Sequence, residues 1–325
     1  MRDSLPRVLV APAAVGGDLR APVVAAAIGR GLERAGVAPP ELCPVAGGGR
    51  GTVEVLLPAL GGETGDGFAL VEDGGTAIVE LGRDGRATGA FVAAAVDAGA
   101  EVVLVAAGGS GGAFVAAAVD GGAEAVGVAA GGSGCEFDGD AGVEVVRVAA
   151  GGSGCEFDGG AGVVEAIEDG GGLRGAALVV LCETLAAWTA RGGVGAAAAG
   201  LRRDPRGIAM TAAGGGLAGA LWARYDARLV AGPAFVLEQL DFDARMHAAR
   251  AVVVGEARLD RGTLSGRVAG EVAIRARQAG VPCHAVAGEH AIDRFDARIL
   301  DLQAIVEAST VEQLEAAGER LARFL

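Results

Sequence analysis

Apolar residues fall along this chain in short blocks separated by glycine-rich stretches, and the spacing within the blocks switches between strand and helix periods. Arg7 to Ala11 (RVLVA) reads as a first strand, and Pro22 to Ala35 follows with helical spacing that puts Val23, Ala26, Ala27, Gly31 and Leu32 on one face. A Gly-Val-Ala-Pro turn then leads to Glu41 to Val45 as a second strand. The pattern loosens between Gly61 and Val71, and Thr76 to Leu81, Leu178 to Cys182 and Leu302 to Val306 offer further strands. Ser309 and Thr310, with Glu312 and Gln313 three residues on, form overlapping capping boxes for a last helix to Leu325.

The clearest block is Val252 to Arg267, VVVGEARLDRGTLSGR. Val252 to Val254 give a buried strand, and Gly255 is expected to end it in a tight turn. The loop then carries Glu256, Arg258, Asp260 and Thr263 before a helix from near Gly266 to about Ala279. Gly280 and Pro282 stop that helix, and Cys283 to Ala287 is the next strand. This is a βαβ unit with its polar groups at the carboxyl end of a strand, where open α/β sheets bind ligands and a helix N-terminus offers free N–H groups to an anion. The short apolar first strand needs neighbours, and the C-terminal βαβ units can supply them, so both ends of the chain are expected in one sheet.

Composition narrows the chemistry. At 325 residues the chain is long enough for two domains, and with 51% hydrophobic but only 4% aromatic residues its core must be built from Ala, Val and Leu. All 27 basic residues are arginine, so a phosphate charge must be met by arginine, backbone N–H groups or a metal. A net charge of −14 argues against nucleic acid or an anionic membrane as partner. The five cysteines are scattered without a CxxC pair, and neither a secretory leader nor a membrane-spanning apolar run is read, which points to a reduced, cytoplasmic setting. His247, His284 and His290 lack metal-ligand spacing and are expected to pack or face solvent.

VAAGGSG occurs three times, starting at Val105, Val128 and Val148. The first two copies share FVAAAVD upstream and the last two share CEFDG downstream. Such a repeat could build a strand-and-turn solenoid, or serve as a flexible glycine-rich linker. GGSG after a strand could instead make a nest of backbone N–H groups with a hydroxyl for a phosphate or carboxylate. Glycine lowers the stability of a strand, so Phe91 to Ser133 is expected to be the least ordered stretch. GGGLAG at Gly214 matches GxGxxG, but no strand and no downstream acid frame it, so a dinucleotide site is discarded in favour of a glycine-rich helix entrance with Leu217, Leu221 and Trp222 as its packing face.

GEARLDRGTLSGR resembles the GExRLDxxTLxGK signature of the glycerate kinase family, with Arg267 at the lysine position. APAAVGGDL, Ala11 to Leu19, is similar to the family's APDSFKGSL, with Ala13 at the aspartate position, Gly16 at the lysine position and Asp18 nearby. VAGGGRGTVEVL, Val45 to Leu56, resembles MADGGEGTVEAL, with Gly47 in place of an acid and Arg50 in place of a glutamate. The third repeat, AGGSGCEFDGGAGV, fits the family's GxGGSATNDGGAGM, and CETLAAW resembles CDVxNPL with Glu183 at the aspartate position and the Asn-Pro pair missing. The family's FGPQKGA is replaced near Gly195 to Arg203, which would pass a lysine contact to Arg202 or Arg203.

The resemblance implies a discontinuous, flavodoxin-like, doubly wound α/β domain from residues 1–62 and 236–325, with an inserted α/β domain, 63–235, and a ligand cleft between them. It implies phosphoryl transfer from Mg-ATP to a hydroxyl of glycerate, with glycerate and nucleotide as small-molecule partners. Glu256, Arg258 and Asp260 would be catalytic, the two acids in metal or proton duty and Arg258 with Arg267 neutralising charge. Gly151, Gly152, Ser153, Gly159, Gly160, Thr263 and Arg267 would bind phosphate or substrate, and Asp158 would reach the metal. A family member that has lost catalysis and binds a ligand or partner is the alternative, because Ala13, Gly16, Gly47 and Arg50 remove charge from two loops. A purely structural repeat protein rests only on VAAGGSG.

Overall fold

The structure is a computed structural model that describes residues 7–16, 19–65, 67–81, 85–108, 161–188 and 201–325. Its first sheet is wholly parallel. It contains β1 (Arg7–Pro12), β2 (Glu41–Leu42), β9 (Ala249–Leu259), β10 (Cys283–His290) and β11 (Leu302–Glu307), in the order β11-β10-β9-β1-β2. Renumbered within the sheet this is 2-1-3-4-5, the flavodoxin-like order, whose direction reverses between β1 and β9. Both chain ends therefore share one sheet, as the short apolar first strand requires.

The second sheet is mixed. β3 (Gly62–Thr64), β4 (Phe68–Val71) and β5 (Thr76–Glu80) run antiparallel in turn, and β5, β6 (Val102–Ala106), β7 (Ala177–Cys182) and β8 (Arg228–Ala231) run parallel. The mixed α/β class with two sheets is thus the class read from the sequence.

Alternation along the strands decides which helices cover each face. Val8 and Val10 of β1 join Val253, Val286 and Val306 against α1 (Ala21–Arg34) and α10 (Val311–Leu321). Leu9 and Ala11 face the other way, with Val252, Val254, Ala285 and Ala287, into a core shared with α2 (Thr52–Leu60), α6 (Gly232–Gln239), α7 (Phe242–His247) and α8 (Val268–Ala279). That core continues to Val71, Ile78 and Leu104 of the second sheet. The opposite face of the second sheet packs Val79, Val103, Val105 and Val180 on α3 (Gly85–Asp97), α4 (Ala161–Asp169) and α5 (Leu217–Tyr225). A short helix α9 (Arg294–Ile299) links β10 to β11. Leu217 and Leu221 are buried in α5 behind a glycine turn at Gly214 to Gly216, the helix entrance expected there.

Several expectations need correction. Gly255 does not end its strand: β9 runs on to Leu259, and a Cβ at Gly255 would lie 2.7 Å from the Pro12 Cβ. The glycine serves close approach of two strands rather than a turn, so Glu256 and Arg258 are strand residues. The buried face of α1 carries Val24, Ala25, Ala27, Ile28 and Leu32, while Val23 is exposed, because the helix rotates its β-branched pair to put Val24 on the sheet. A 3₁₀ turn, Arg261–Ser265, precedes α8, which starts at Val268. Phe91 to Asp97 is the second half of α3, and β6, at the head of the first VAAGGSG copy, lies between β5 and β7 with Val103 and Val105 fully buried. Its stability comes from central position and apolar burial, which outweigh the glycines that follow. The rest of Phe91 to Ser133, from residue 109 on, lies outside the described residues, as do the other two repeats.

Candidate functional site

The carboxyl ends of β1, β9 and β10 in the first sheet and of β6 and β7 in the second come together beside the N-terminus of α8. Asp260 follows β9 directly and caps the 3₁₀ turn: its Oδ1 accepts the Gly262 N–H at 2.7 Å, and its own N–H donates to Thr263 Oγ1 at 3.2 Å. The same carboxylate holds two arginines, Arg267 Nη1 on Oδ1 at 3.1 Å and Arg258 Nε on Oδ2 at 3.1 Å. Arg258 also donates to Glu289 Oε2 at the end of β10, 2.6 Å away. Thr263 is fully buried and its hydroxyl is engaged inside the turn, so it supports the loop and presents no surface to a ligand.

Glu256 points from β9 to the start of α8, where the Ala269 N–H, one of the unpaired donors of the first turn, faces it. It is 8% exposed, and its Oε2 has no hydrogen-bond partner. Burial pushes this carboxyl up to about 8, against the pull of Arg267 and with a push from Asp260 and Glu183. Burial thus favours its protonated form.

Glu183 comes from the second sheet, at the end of β7. It is half-buried, and desolvation pushes it up to about 7 against the attraction of Arg267. Its side chain lies where three glycine backbones approach: a Cβ at Gly47 would meet its Cγ at 3.0 Å, one at Gly49 its Oε1 at 2.6 Å, and one at Gly108 its carboxylate carbon. The two sheets approach each other locally here, through Glu183 and the backbones of Gly47 and Gly49. Glu80, at the end of β5, ties the sheets together as well by accepting the Val53 N–H at the start of α2, 2.8 Å away.

The structure therefore brings Glu256, Arg258, Asp260 and Arg267 together and adds Glu183 and Glu289. Sequence reading placed Glu183 only at a family position; an acid directly after a buried strand was the available signal. Arg258 and Arg267 are both held by Asp260, so any incoming anion would compete with that carboxylate for them. Arg50 is exposed and Ala13 bonds through its N–H to the Gly255 carbonyl, 2.8 Å away, so neither restores the charges missing from their loops. Arg203 stacks over Trp222 and pairs with Asp226. Gly151, Gly152, Ser153, Asp158, Gly159 and Gly160 lie outside the described residues. Among the described residues no three His, Cys, Asp or Glu groups could hold a metal ion, and no helix is long and apolar enough to cross a membrane. Cys43, Cys182 and Cys283 are free and buried, and desolvation pushes them up to about 11, 12 and 12, which leaves them inert as nucleophiles.

Residues 172–324 match the model of the glycerate kinase family. A glycerate kinase of Halalkalibacterium halodurans is 32% identical over 133 residues, 38% of this chain and 34% of that protein. One from Neisseria meningitidis serogroup B is 43% identical over 76 residues, 23% of this chain and 20% of that protein, so the chain is matched to only a third or less of the length of these relatives. The crystal structure of glycerate kinase 2 from Salmonella typhimurium LT2 superposes with a TM-score of 0.63 at 21% identity, covering 99% of this chain and 98% of that one, which shows a shared fold. Over residues 172–324 the chain is similar to the glycerate kinase family, and it shares its fold with the Salmonella protein.

Proposed function

We propose that this protein transfers the γ-phosphoryl group of ATP to a hydroxyl of glycerate. The carrying observation is the Asp260 cluster at the point where the strand order of the first sheet reverses, the place where doubly wound sheets bind ligands. Phosphoryl transfer is chiefly positioning and charge neutralisation. Arg258 and Arg267 supply the positive charge, exchanging Asp260 for phosphate oxygens, and Asp260 holds both arginines in place before the head of α8. Magnesium would supply further charge neutralisation when bound, and Asp158 is the residue that the family resemblance offers to hold it. The first sheet with residues 1–62 and 236–325, and the second with 63–235, are proposed as the two domains, in a cytoplasmic enzyme.

Release of ADP from ATP, measured with D-glycerate and magnesium on purified folded protein, tests this reading. Turnover should exceed the no-enzyme control. A rate equal to that control would overturn the proposal and leave a ligand-binding relative without catalysis.

A further inference from the structure

Three carboxyl groups meet at the junction, and their surroundings differ. Asp260 has both oxygens engaged, by the Gly262 N–H, Arg267 and Arg258. Glu256 is enclosed at the head of α8, with Oε2 shut off from solvent. Glu183 keeps part of its surface open and, unlike Asp260, receives no hydrogen bond at its carboxylate among the described residues. It sits in the space bounded by Gly47, Gly49 and Gly108, so a residue of the second sheet occupies the position beside the first sheet's loop where a side chain on Gly47 would project.

That space bears on a loss noted from the sequence. The resembling family carries an acid where this chain has Gly47 and an aspartate where this chain has Glu183, one methylene longer. Two acids have become one glutamate that reaches further. Gly47 has no left-handed backbone angle, so nothing in its conformation demands glycine; the obstacle to a side chain there is Glu183 itself.

Resting on the phosphotransfer reading above, we propose that Glu183 stands in space for the acid missing at Gly47 and takes the proton of the substrate hydroxyl. As that O–H bond breaks, its electron pair forms the new bond from oxygen to the γ-phosphorus. The bond from that phosphorus to the bridging oxygen breaks, ADP leaves with the electron pair, and the proton moves to the Glu183 carboxylate. A group pushed up to about 7 is well matched to this duty at neutral pH.

Gly47→Asp, Glu183→Asp, the double variant and Glu183→Gln test both halves. In thermal unfolding, Gly47→Asp should lower Tm by about 3 °C or more through collision and like charge, and Glu183→Asp should relieve most of that loss. Soluble double variant with insoluble Gly47→Asp supports the exchange equally well. Additive shifts overturn it, whatever the activity. In turnover, Glu183→Gln should lower kcat about 100-fold or more, change KM less than about threefold, and remove the acid limb of the pH–rate profile, while Gly47→Asp/Glu183→Asp should exceed Glu183→Asp by about tenfold. A Glu183→Gln enzyme within threefold of an active wild type overturns the proton role and leaves the phosphotransfer reading standing. An inactive wild type removes that reading, and the proton role with it.

Discussion

At their junction the two sheets offer opposite materials. The first sheet brings charge: Glu256, Arg258, Asp260, Arg267 and Glu289 sit on or just beyond parallel strand ends, each held by a neighbour within the same sheet edge. The second sheet brings shape, with Gly108 after β6 and a single carboxylate, Glu183, after β7. A charged cluster built from one loop is self-supporting and can survive as a motif. A cradle assembled from backbone of both sheets has its chemistry wherever one side chain can reach, and motif position is a poor guide to it.

The largest test of this contrast is Asp260→Ala. It removes the cap and frees both arginines, so it should reduce kcat/KM on the order of 10³-fold and also cost about 1–2 kcal/mol, seen in denaturant unfolding. The loss of stability separates this residue from a loop carboxylate that contributes charge alone. Gly108→Ala should act next most strongly: its Cβ displaces the Glu183 carboxylate, and kcat should fall about 10- to 100-fold with Tm changed by only a few degrees.

Glu183 and Glu256 give a smaller, pH-dependent effect. Both are pushed above the ordinary carboxyl value of 4.5, so the folded chain holds protons that the unfolded chain releases. Their contribution is complete below about pH 4.5 and is lost as pH rises through about 7 and 8. Tm should fall between pH 5 and 8.5 as the free energy of unfolding drops with a slope that approaches about 1.4 kcal/mol per pH unit for each proton, and Glu256→Gln should flatten the profile. A flat wild-type profile would break the contrast between shielded and open carboxyls. The smallest effect is expected from deleting residues 112–154, which leaves one GGSGCEFDGG segment between β6 and α4; Tm and kcat should stay within 2 °C and twofold, by about the measure of an ordinary surface change.

Legibility followed the same division. Strands β1, β9 and β10 are readable because each carries a run of Val, Ala or Leu buried on both faces of a parallel sheet, with Gly280 in the left-handed conformation stopping the helix between two of them. The Asp260 cluster is readable because its members are close in sequence. Gly255 misleads because a glycine that permits a turn and one that permits close approach look alike until the neighbour, here Pro12, is in place. Glu183 is obscure for a related reason: it lies more than 130 residues from the Gly47 loop it touches. The repeat is obscure because identical letters follow β6 and precede α4, and only the fold shows that the strand belongs to the first copy and the helix to the region after the third.

The pairing of β1 with β9 also sets a timetable. β1 leaves the ribosome about 240 residues before the strand that completes its hydrogen bonding on that side. At about 5–20 residues per second the nascent chain carries this strand for roughly 12–48 s with an open edge of apolar residues. The β1 edge is therefore the point at which newly made chains are most exposed to aggregation, and slow synthesis raises that exposure even for a sequence whose finished fold is unchanged.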